Sequence, residues 1–573
     1  MREQWLNLNG PWEFTFNDTY HFEDEARFLN CRPYNREIIV PFPYQSKLSG
    51  VATKEIHLCV WYRRDFKLPS EWQGNRILLH FGAVDYWCKV WLNGQLLGEH
   101  RGGHTPFSFE ITNQVQSGNN ELTVKVVDTP DRNQPRGKQS WASPVECWYT
   151  PSTGIWQTVW LEAVPLNYIE GIQLIPNLDQ GTLTIKARVN SVQPELILQA
   201  IATFNGREVG KAEQPVDYPG TDLMLVLKQI YPWSPEQPDL YDLQLRLSQR
   251  ETTVDFVKSY FGLRKISIRN SQIYLNNQPY FQRLILDQGF WPDGLYTAPS
   301  DTALQDDIQW GKKLGFNGCR KHMKVEDPRF LYWADRLGYL VWGEFPACYE
   351  FSFTSQARFL PEWLDAIFRD YNHPAIVVWV PFNESWGIRG IKNNPEVQSW
   401  VKDIVRLTRL MDSTRLVIDN DGWDHVDSDI YGYHDYAQNG DELSLKYELM
   451  MKYARGQAVN PPPGIHLDVM MMAEGHYLPE RPVMLTEFGG IGYRVGETPP
   501  ESWGYADLPA SDQDFLQRYQ SLMEHAVKLP GCCGYVYTQL TDVEQEVNGL
   551  LTANRQPKIA LELLRKPVLA DNK

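Results

Sequence analysis

Long apolar segments and runs of like charge are missing from this 573-residue chain. No stretch approaches the ~20 apolar residues of a membrane span, so the sequence predicts no membrane contact. The net charge is −16 at pH 7, which argues against the basic patches that nucleic acid and anionic membranes require. Low-complexity tracts are missing as well, so the composition indicates folded domains rather than a disordered chain.

Cysteine occurs at eight positions, but never with the spacing of a metal site. There is no C-x-x-C pair and no Cys/His cluster with zinc spacing, so we expect no metal and no cofactor. Several cysteines lie in apolar strand patterns, which favours reduced thiols, although an even count leaves disulfides open. The amino terminus lacks a basic segment followed by an apolar one, so the sequence as given predicts a cytoplasmic protein without a signal peptide.

The first half of the chain has the patterns of β-sandwiches. Residues 1–165 contain alternating apolar strands such as 86–92, which is followed by an Asn-Gly turn signal. In residues 166–265 the segments 183–189 and 243–247 alternate in the same way. These patterns predict a β-sandwich over 1–165, taken to be jelly-roll-like, and a smaller immunoglobulin-like β-sandwich over 166–265.

From residue 266 to 573 strands alternate with amphipathic helices. One helix is marked by Asp327-Pro328 as its cap and first turn and by Gly338 as its end. Eight such strands over about 300 residues predict a (β/α)8 TIM barrel. The strand candidates are Gln282–Asp287, Gly315–His322, Tyr339–Phe345, Ile376–Glu384, Arg415–Asn420, Asp429–His434, Pro482–Glu487 and Gly534–Gln539. Residues 435–480 are predicted to be an insertion over the barrel rim.

Two of these apolar strands, the fourth and the seventh, end in a glutamate. Glu384 and Glu487 would stand on nearly opposite sides of the rim at which the chemistry of such barrels takes place. Paired carboxylates suit glycoside cleavage, in which one carboxyl protonates the leaving oxygen and the other faces the anomeric carbon. We expect burial and the neighbouring carboxylate to raise the pKa of the acid. Asn383 would bind a sugar hydroxyl near the reacting carbon.

The whole chain resembles glycoside hydrolase family 2, which contains β-galactosidases, β-glucuronidases and β-mannosidases. The resemblance is carried by Asn-Leu-Asn-Gly-Pro-Trp near the start, Val90-Trp-Leu-Asn-Gly94, Gly102-Gly-His-Thr-Pro-Phe107, Gly154-Ile-Trp-Gln-Thr158, His373-Pro374 with Asn383-Glu384, and Thr486-Glu487-Phe-Gly489. It implies a sugar-binding first domain, Glu384 as acid/base, Glu487 as nucleophile and a retaining mechanism. Carboxyl groups about 5–5.5 Å apart would follow. Some members bind magnesium or sodium, but no convincing ligand set is present.

Further polar residues at predicted strand ends are candidates for sugar binding or for fixing a carboxylate. The alternative for each is a structural hydrogen bond, an ion pair or packing. The candidates are Asp287, Arg320, His322, Glu344, Trp386, Tyr433, His434 and Gln539. Asp419, Asp421 and Asp424 follow the fifth strand, where turn formation and loop solvation explain them better than metal binding.

The identity of the sugar depends on one segment. The family's β-glucuronidases carry an Asn-x-Lys pair for the substrate carboxylate just before a glycine. Aligned on Gly549, this chain has Glu546 and Asn548 there, and an acidic side chain would repel a uronate. The sequence therefore predicts a retaining exo-β-glycosidase for a neutral sugar, most simply a β-galactoside. A β-glucuronidase or β-mannosidase, an inverting hydrolase, a transglycosylase and a non-catalytic carbohydrate-binding protein stay open, as does a homo-oligomer.

Overall fold

A computed structural model describes residues 2–18, 25–467, 469–496, 498–505 and 507–570. Strands build the first part of the chain, apart from the short helix α1 (Glu25–Asn30) and 3-10 turns at Lys47–Ser49 and Ser70–Trp72. The strands are β1 Trp5–Asn7, β2 Gly10–Phe16, β3 Arg36–Val40, β4 Cys59–Lys67, β5 Arg76–Phe81, β6 Val84–Asp85, β7 Trp87–Leu92, β8 Gln95–Arg101, β9 Phe107–Glu110, β10 Asn119–Val127, β11 Gly154–Ile155 and β12 Val159–Val164. The sheets β1-β12-β5-β9 and β3-β2-β4-β10-β7-β8 pack on a common apolar core, which confirms the first β-sandwich.

A second sandwich follows, with its own core. Its strands are β13 Ile169–Asn177, β14 Thr182–Val189, β15 Leu196–Phe204, β16 Arg207–Pro215, β17 Gly220–Val226, β18 Tyr241–Gln249 and β19 Thr252–Phe261. The sheet β13-β14-β17 faces the sheet β16-β15-β18-β19, and the burial of alternate residues in β14 and β18 explains the period of two in the sequence. The proposed domain limits at 165/166 and 265/266 fall between β12 and β13 and between β19 and β20; they stay a prediction.

The last part begins with a small hairpin sheet and continues as an eight-stranded parallel barrel. The hairpin strands are β20 Ile266–Arg269, β21 Gln272–Leu275 and β22 Gln278–Pro279. The barrel strands are β23 Gln282–Asp287, β24 Gly318–Lys321, β25 Leu340–Glu344, β26 Ile376–Val380, β27 Leu416–Val417, β28 Tyr431–Asp435, β29 Val483–Gly489 and β30 Cys532–Thr538. The parallel order β27-β26-β25-β24-β23-β30-β29-β28 leaves β27 beside β28, and the Asp429 N–H donates across that gap to the Val417 carbonyl at 2.8 Å.

Helices surround this barrel: α2 Asp301–Lys313, α3 Pro328–Leu337, α4 Phe353–Asp370, α5 Pro395–Met411, α6 Gly440–Ala454, α7 Asp512–Ala526 and α8 Leu561–Val568. Helix α3 begins and ends where the sequence predicts, with Asp327 accepting from the Arg329 N–H and Gly338 in the left-handed conformation. Residues 435–480 are not simply an insertion over the rim. They contain α6, which is tied to α7 by a 3.0 Å hydrogen bond from the Gly440 N–H to Ser521 Oγ.

The first sandwich packs directly on the barrel. An apolar cluster joins Ala83, Tyr149 and Trp156 of the sandwich to Phe290, Tyr296 and Val543 of the barrel. Residues 128–153, between β10 and β11, lie over the barrel rim and are called the cap loop below. The eight cysteines, all within the described residues, are free thiols. Across the same residues, no helix is long and apolar enough to cross a membrane.

Candidate active site

Glu384 and Glu487 meet at the carboxyl end of the barrel. Glu487 lies within β29, and Glu384 stands in the turn after β26. His434 joins them: one of its ring nitrogens and one carboxylate oxygen from each glutamate all lie within 4.8 Å of one another. Glu384 adopts left-handed backbone with φ of 51°, and its N–H donates to the Asp421 carbonyl at 2.9 Å. The loop after the fifth strand therefore fixes the turn that presents Glu384.

Arg320 contacts both the Glu487 and His434 sides of this cluster from inside the barrel. It is fully buried in β24, and its Nη1 donates to Glu487 Oε1 at 2.8 Å and lies 3.0 Å from Asp421 Oδ2. Its Nε donates to Glu344 at 2.5 Å, and its Nη2 donates to Asn383 Oδ1 at 2.6 Å. Burial lowers the pKa of Arg320, but Asp421, Glu344 and Glu487 outweigh burial and raise it well above its ordinary value. A permanent cation thus balances the buried carboxylates.

His434 lies between the two glutamates. Its Nδ1 is 2.9 Å from Glu384 Oε1 and 3.6 Å from Glu487 Oε1, and its Nε2 is 3.6 Å from Asp421 Oδ2. Burial lowers the pKa of His434, but the charge of Glu487 and hydrogen bonds with Asp421 and Glu384 outweigh it and raise the pKa to about 10. Within the described residues, Glu384, His434 and Glu487 are the one group compact enough to hold a metal ion, and Arg320 already supplies a cation beside it.

The same arrangement lowers the pKa of Glu384. Burial alone raises it, but the hydrogen bond and charge of His434 outweigh burial, and Lys138 and Arg320 add to the effect. This is opposite to the elevated pKa expected from the sequence. The expectation included burial and a second carboxylate, but it did not include an imidazolium in contact with Glu384.

Glu344 and His322 form a layer beneath the cluster. Glu344 Oε1 accepts from the Met323 N–H at 2.9 Å and lies 2.9 Å from His322 Nδ1. Burial raises the pKa of Glu344 even though Arg320 opposes it. Burial, Lys138 and Arg320 lower the pKa of His322 well below its ordinary value. His322 is therefore neutral and adds no charge to the layer.

Two tyrosines form one wall of the site. Tyr436 is the residue directly after β28, and its hydroxyl donates to Glu487 Oε2. Tyr505 stacks flat on Tyr436, with ring centroids 3.6 Å apart, and Trp503 contacts the edge of Tyr505. All three rings are partly exposed, so they present a polar and aromatic surface next to Glu487.

Glu546 forms the far wall through a chain of hydrogen bonds. Its Oε2 accepts from the Tyr149 hydroxyl at 2.5 Å, and its Oε1 accepts from Asn548 Nδ2 at 2.9 Å. Asn548 Oδ1 accepts from Gln539 Nε2 at 2.6 Å, and Gln539 Oε1 accepts from Gln288 at 2.8 Å. Burial raises the pKa of Glu546 against the opposing charge of Lys138. Gln539, a predicted sugar ligand, thus connects Asn548 to Gln288 by hydrogen bonds.

The cap loop adds residues of the first sandwich to the site. Lys138 is buried, and Cys147, Glu546 and Glu384 outweigh its desolvation and raise its pKa. Trp148 donates from Nε1 to the Tyr349 hydroxyl at 2.8 Å and meets Trp386 edge-on, with ring centroids 5.6 Å apart. Trp386, singled out in the sequence, is therefore half of an aromatic rim that the two domains build together.

Two predicted site residues lie elsewhere. Asp287 accepts from Lys321 at 2.6 Å and from the Gly289 N–H at 2.9 Å, within a buried ion-pair network. The Tyr433 hydroxyl donates to Asp435 at 2.5 Å, and its ring packs toward Tyr447 of α6. A strand-end position does not decide which face a side chain occupies, because neighbours along a strand point in opposite directions.

Sequence reasoning missed several members of the site. The sequence attributes Asp421 to turn formation and loop solvation, yet the side chain is fully buried and its pKa is lowered, since Arg320 and His434 outweigh its desolvation. Tyr436 carries a usable signal, because it follows directly after the sixth strand. Lys138 and Tyr505 carry none, since they come from loops remote in sequence.

Known protein families match all three parts of the chain. The models described as "Glycosyl hydrolases family 2, sugar binding domain", "Glycosyl hydrolases family 2" and "Glycosyl hydrolases family 2, TIM barrel domain" match residues 6–162, 167–264 and 266–570. A β-galactosidase of Thermoanaerobacter pseudethanolicus is 26% identical over 66% of this chain and 52% of its own length. The chain thus spans about half of that relative. A β-glucuronidase of Rattus norvegicus is 26% identical over 98% of this chain and 90% of its own length.

Solved structures share the fold. A β-glucuronidase from Ruminococcus gnavus in complex with D-glucuronic acid matches with a TM-score of 0.79 at 17% identity, over 99% of this chain and 98% of that one. An uncultured Clostridium sp. β-glucuronidase matches with the same TM-score at 20% identity, over 100% of this chain and 99% of that one.

Proposed function

The chain belongs to glycosyl hydrolases family 2, and from this premise we propose that it is a retaining exo-β-glycosidase with Glu487 as nucleophile and Glu384 as acid/base. The observation that carries the proposal is the approach of their carboxylate oxygens to within 4.8 Å. Inverting enzymes hold their carboxyls about 6.5–9.5 Å apart to admit a water molecule, so the short separation favours double displacement.

The surrounding residues support these roles. Arg320 and Tyr436 donate to different oxygens of Glu487, which keeps its carboxylate oriented for attack on an anomeric carbon. Asn383 is held by Arg320 next to Glu384, where its amide can bind the neighbouring sugar hydroxyl. Exo action is proposed because the cap loop covers one side of the barrel rim.

For the sugar, we propose a neutral β-glycoside, with a β-galactoside as the first candidate. Glu546 is a buried acceptor that suits sugar hydroxyls, and Asn548 is already engaged by Gln539 and Glu546. A uronate carboxylate would meet Glu546 at this wall, and two buried carboxylates in one site raise each other's pKa at a cost in free energy.

A β-glucuronide is the second candidate, because a specific observation favours it. Lys138 brings a buried ammonium group to the Glu546 side of the site, where it could pair with a uronate. The rat relative, which matches almost the full chain, is a β-glucuronidase.

Initial rates on p-nitrophenyl β-galactoside, β-glucuronide, β-mannoside, β-glucoside and α-arabinopyranoside test the proposal, with Glu487→Ala and Glu384→Gln as controls. We expect turnover of a neutral glycoside that is lost in Glu487→Ala, and proton NMR should show a first product with retained configuration. Turnover of the glucuronide alone would contradict the neutral sugar and keep the mechanism. Unchanged rates in both variants would contradict the assigned roles, and binding without turnover would indicate a carbohydrate-binding protein.

A further inference from the structure

His434 sits where a proton can pass to Glu384. Its Nδ1 is 2.9 Å from Glu384 Oε1, a hydrogen-bond distance, while the Glu487 carboxylate is 3.6 Å from the same nitrogen. The opposite nitrogen, Nε2, faces Asp421 at 3.6 Å and Arg320 Nη1 at 3.4 Å. The ring is also held in place by Trp423, which packs edge-on at 5.6 Å.

The charges that face the ring come from several strands. Glu384, Asp421 and Glu487 follow or lie in the fourth, fifth and seventh barrel strands, and Arg320 lies in the second. His322, from the end of the second strand, is neutral. Three carboxylates against one guanidinium favour a protonated imidazole, which matches the pKa of His434 near 10 and the lowered pKa of Glu384.

A retaining mechanism places two demands on these groups. Glu487 must be ionised to attack, and one proton must be available to the leaving oxygen. If the geometry keeps Glu384 ionised at neutral pH, that proton is carried by the ring in contact with it.

We propose that His434 and Glu384 hold the catalytic proton jointly, so that His434 is a positioning residue of acid/base catalysis rather than a sugar ligand. This inference rests on the proposed function. Because the two groups are coupled, the proton that is lost at high pH belongs to the pair and not to the carboxyl alone.

The proton balance follows directly. In the first step, Glu487 bonds to the anomeric carbon, the bond to the aglycone oxygen breaks, and that oxygen takes the proton of the pair through Glu384. The pair is left as neutral imidazole and carboxylate, and Glu487 has lost its charge in the ester. In the second step, water bonds to the anomeric carbon, one of its protons returns to the pair, and the ester bond to Glu487 breaks.

The loss of charge on Glu487 times this release. The Glu487 carboxylate lies 3.6 Å from His434 Nδ1, and its charge helps to raise the pKa of His434. When its carboxylate becomes an ester, that contribution disappears, and the imidazolium becomes a stronger acid in the same step in which the leaving group needs a proton.

The pH dependence of kcat/KM for wild type and His434→Asn tests the proposal, with phenyl and 2,4-dinitrophenyl glycosides of the accepted sugar. We expect the basic limb of His434→Asn to move from near pH 10 to about pH 6 for the phenyl glycoside, because the buried carboxyl of Glu384 then holds the proton alone. At pH 8, about two units above that limb, its rate should fall by about 100-fold, since the rate drops about tenfold per pH unit once the acid has lost its proton. The dinitrophenyl glycoside needs no proton and should lose far less. His476→Asn, on a surface loop, is the matched control.

An equal loss for both substrates at every pH, with an unmoved basic limb, would show a merely structural role and overturn the proposal. In wild type, the pH of the basic limb should change with temperature as the pKa of an imidazole does. The much smaller change that is typical of a carboxyl would also overturn the proposal, and this measurement needs no variant. Side-chain 15N NMR of histidine-labelled protein, assigned with His434→Asn, requires no turnover. The spectrum of wild type should show a charged His434 at pH 8, and in Glu384→Gln the ring should lose its proton at lower pH. A neutral His434 ring in wild type at pH 7 would refute the proposal even if no glycoside is cleaved.

Discussion

Two tyrosines three residues apart, one within β28 and one just after it, have similar chemistry but different roles. The Tyr436 hydroxyl donates to Glu487, while the Tyr433 hydroxyl donates to Asp435 outside the cluster. Strand geometry separates them, because Tyr433 lies within β28 and Tyr436 has just left it.

Tyr436→Phe removes a hydrogen bond to a charged carboxylate, which is worth about 1.5–3 kcal/mol. We expect kcat to fall by about 10- to 100-fold while KM changes little, as measured by steady-state kinetics on the preferred glycoside. Tyr433→Phe is the matched control and should keep kcat within about threefold of wild type. Equal losses in both variants would speak against a role for Tyr436 at Glu487.

Glu546→Gln tests the choice of sugar. The substitution removes the charge that should repel a uronate, but it keeps an oxygen acceptor for Asn548. We expect the ratio of kcat/KM for glucuronide to that for the neutral glycoside to rise about 10-fold or more, because one buried like charge is gone. Glu544→Gln, in the same loop but bonded to Thr150, should leave the ratio unchanged. A ratio unaffected by Glu546→Gln would contradict its place at the sugar.

At the scale of elements, the cap loop is fastened to the barrel by its own backbone. The Arg136 N–H donates to the Ala347 carbonyl at 3.0 Å, and the Trp148 carbonyl accepts from Gln545 at 3.1 Å. These bonds hold Trp148 against Trp386, two residues after Glu384, the residue proposed to pass a proton to the departing aglycone.

Trp148→Ala should therefore weaken aglycone binding. Aromatic contacts contribute about 0.5–1.5 kcal/mol, so we expect KM for an aryl glycoside to rise by up to about 10-fold, with a smaller change for the methyl glycoside. Trp310→Ala, on the outer helix α2, is the control. A change of equal size for aryl and methyl substrates would indicate a general disturbance of the loop.

The sequence predicted the barrel strands well, since buried parallel strands are continuous apolar runs with polar ends. Their limits were less accurate: the predicted strand Arg415–Asn420 is only Leu416–Val417, because Asp419 and Asn420 bond within the following loop. Glu384 and Glu487 were predictable for the same reason as the strands. Asp421 and Lys138 were not, because loop aspartates look alike whether buried or solvated, and a contact between domains leaves no local pattern.

For the whole molecule, two buried carboxyls lie where the first sandwich meets the barrel. Burial and the charge of Asp128 raise the pKa of Asp85 to about 8. Burial and the charge of Asp85 raise the pKa of Glu362, on α4, well above its ordinary value. In the folded chain Asp85 therefore keeps its proton at neutral pH and Glu362 keeps its proton to a higher pH than an exposed glutamate, whereas the unfolded chain releases these protons near pH 4.

The raised pKa values of Asp85 and Glu362 make the stability of the fold depend on pH. Since the folded pKa values are raised, the unfolded chain binds fewer protons, and stability should decrease as pH rises from about 4 to about 8. Glu362→Gln removes one such group, so we expect its unfolding midpoint to exceed that of wild type by about 2 °C or more at pH 8 and by much less at pH 5. Scanning calorimetry measures this, with the exposed Glu524→Gln as control. A gain of the same size at both pH values would refute the assignment to Glu362.

The cap loop also has a consequence for how selectivity can diverge. One wall of the active site belongs to a sandwich that supplies neither strand-end glutamate, so substitutions there that keep Lys138 can alter which glycosides enter without changing the charges around Glu384. Exchanging residues 128–153 between homologues that share this lysine would then transfer substrate preference while both glutamates stay in the recipient barrel.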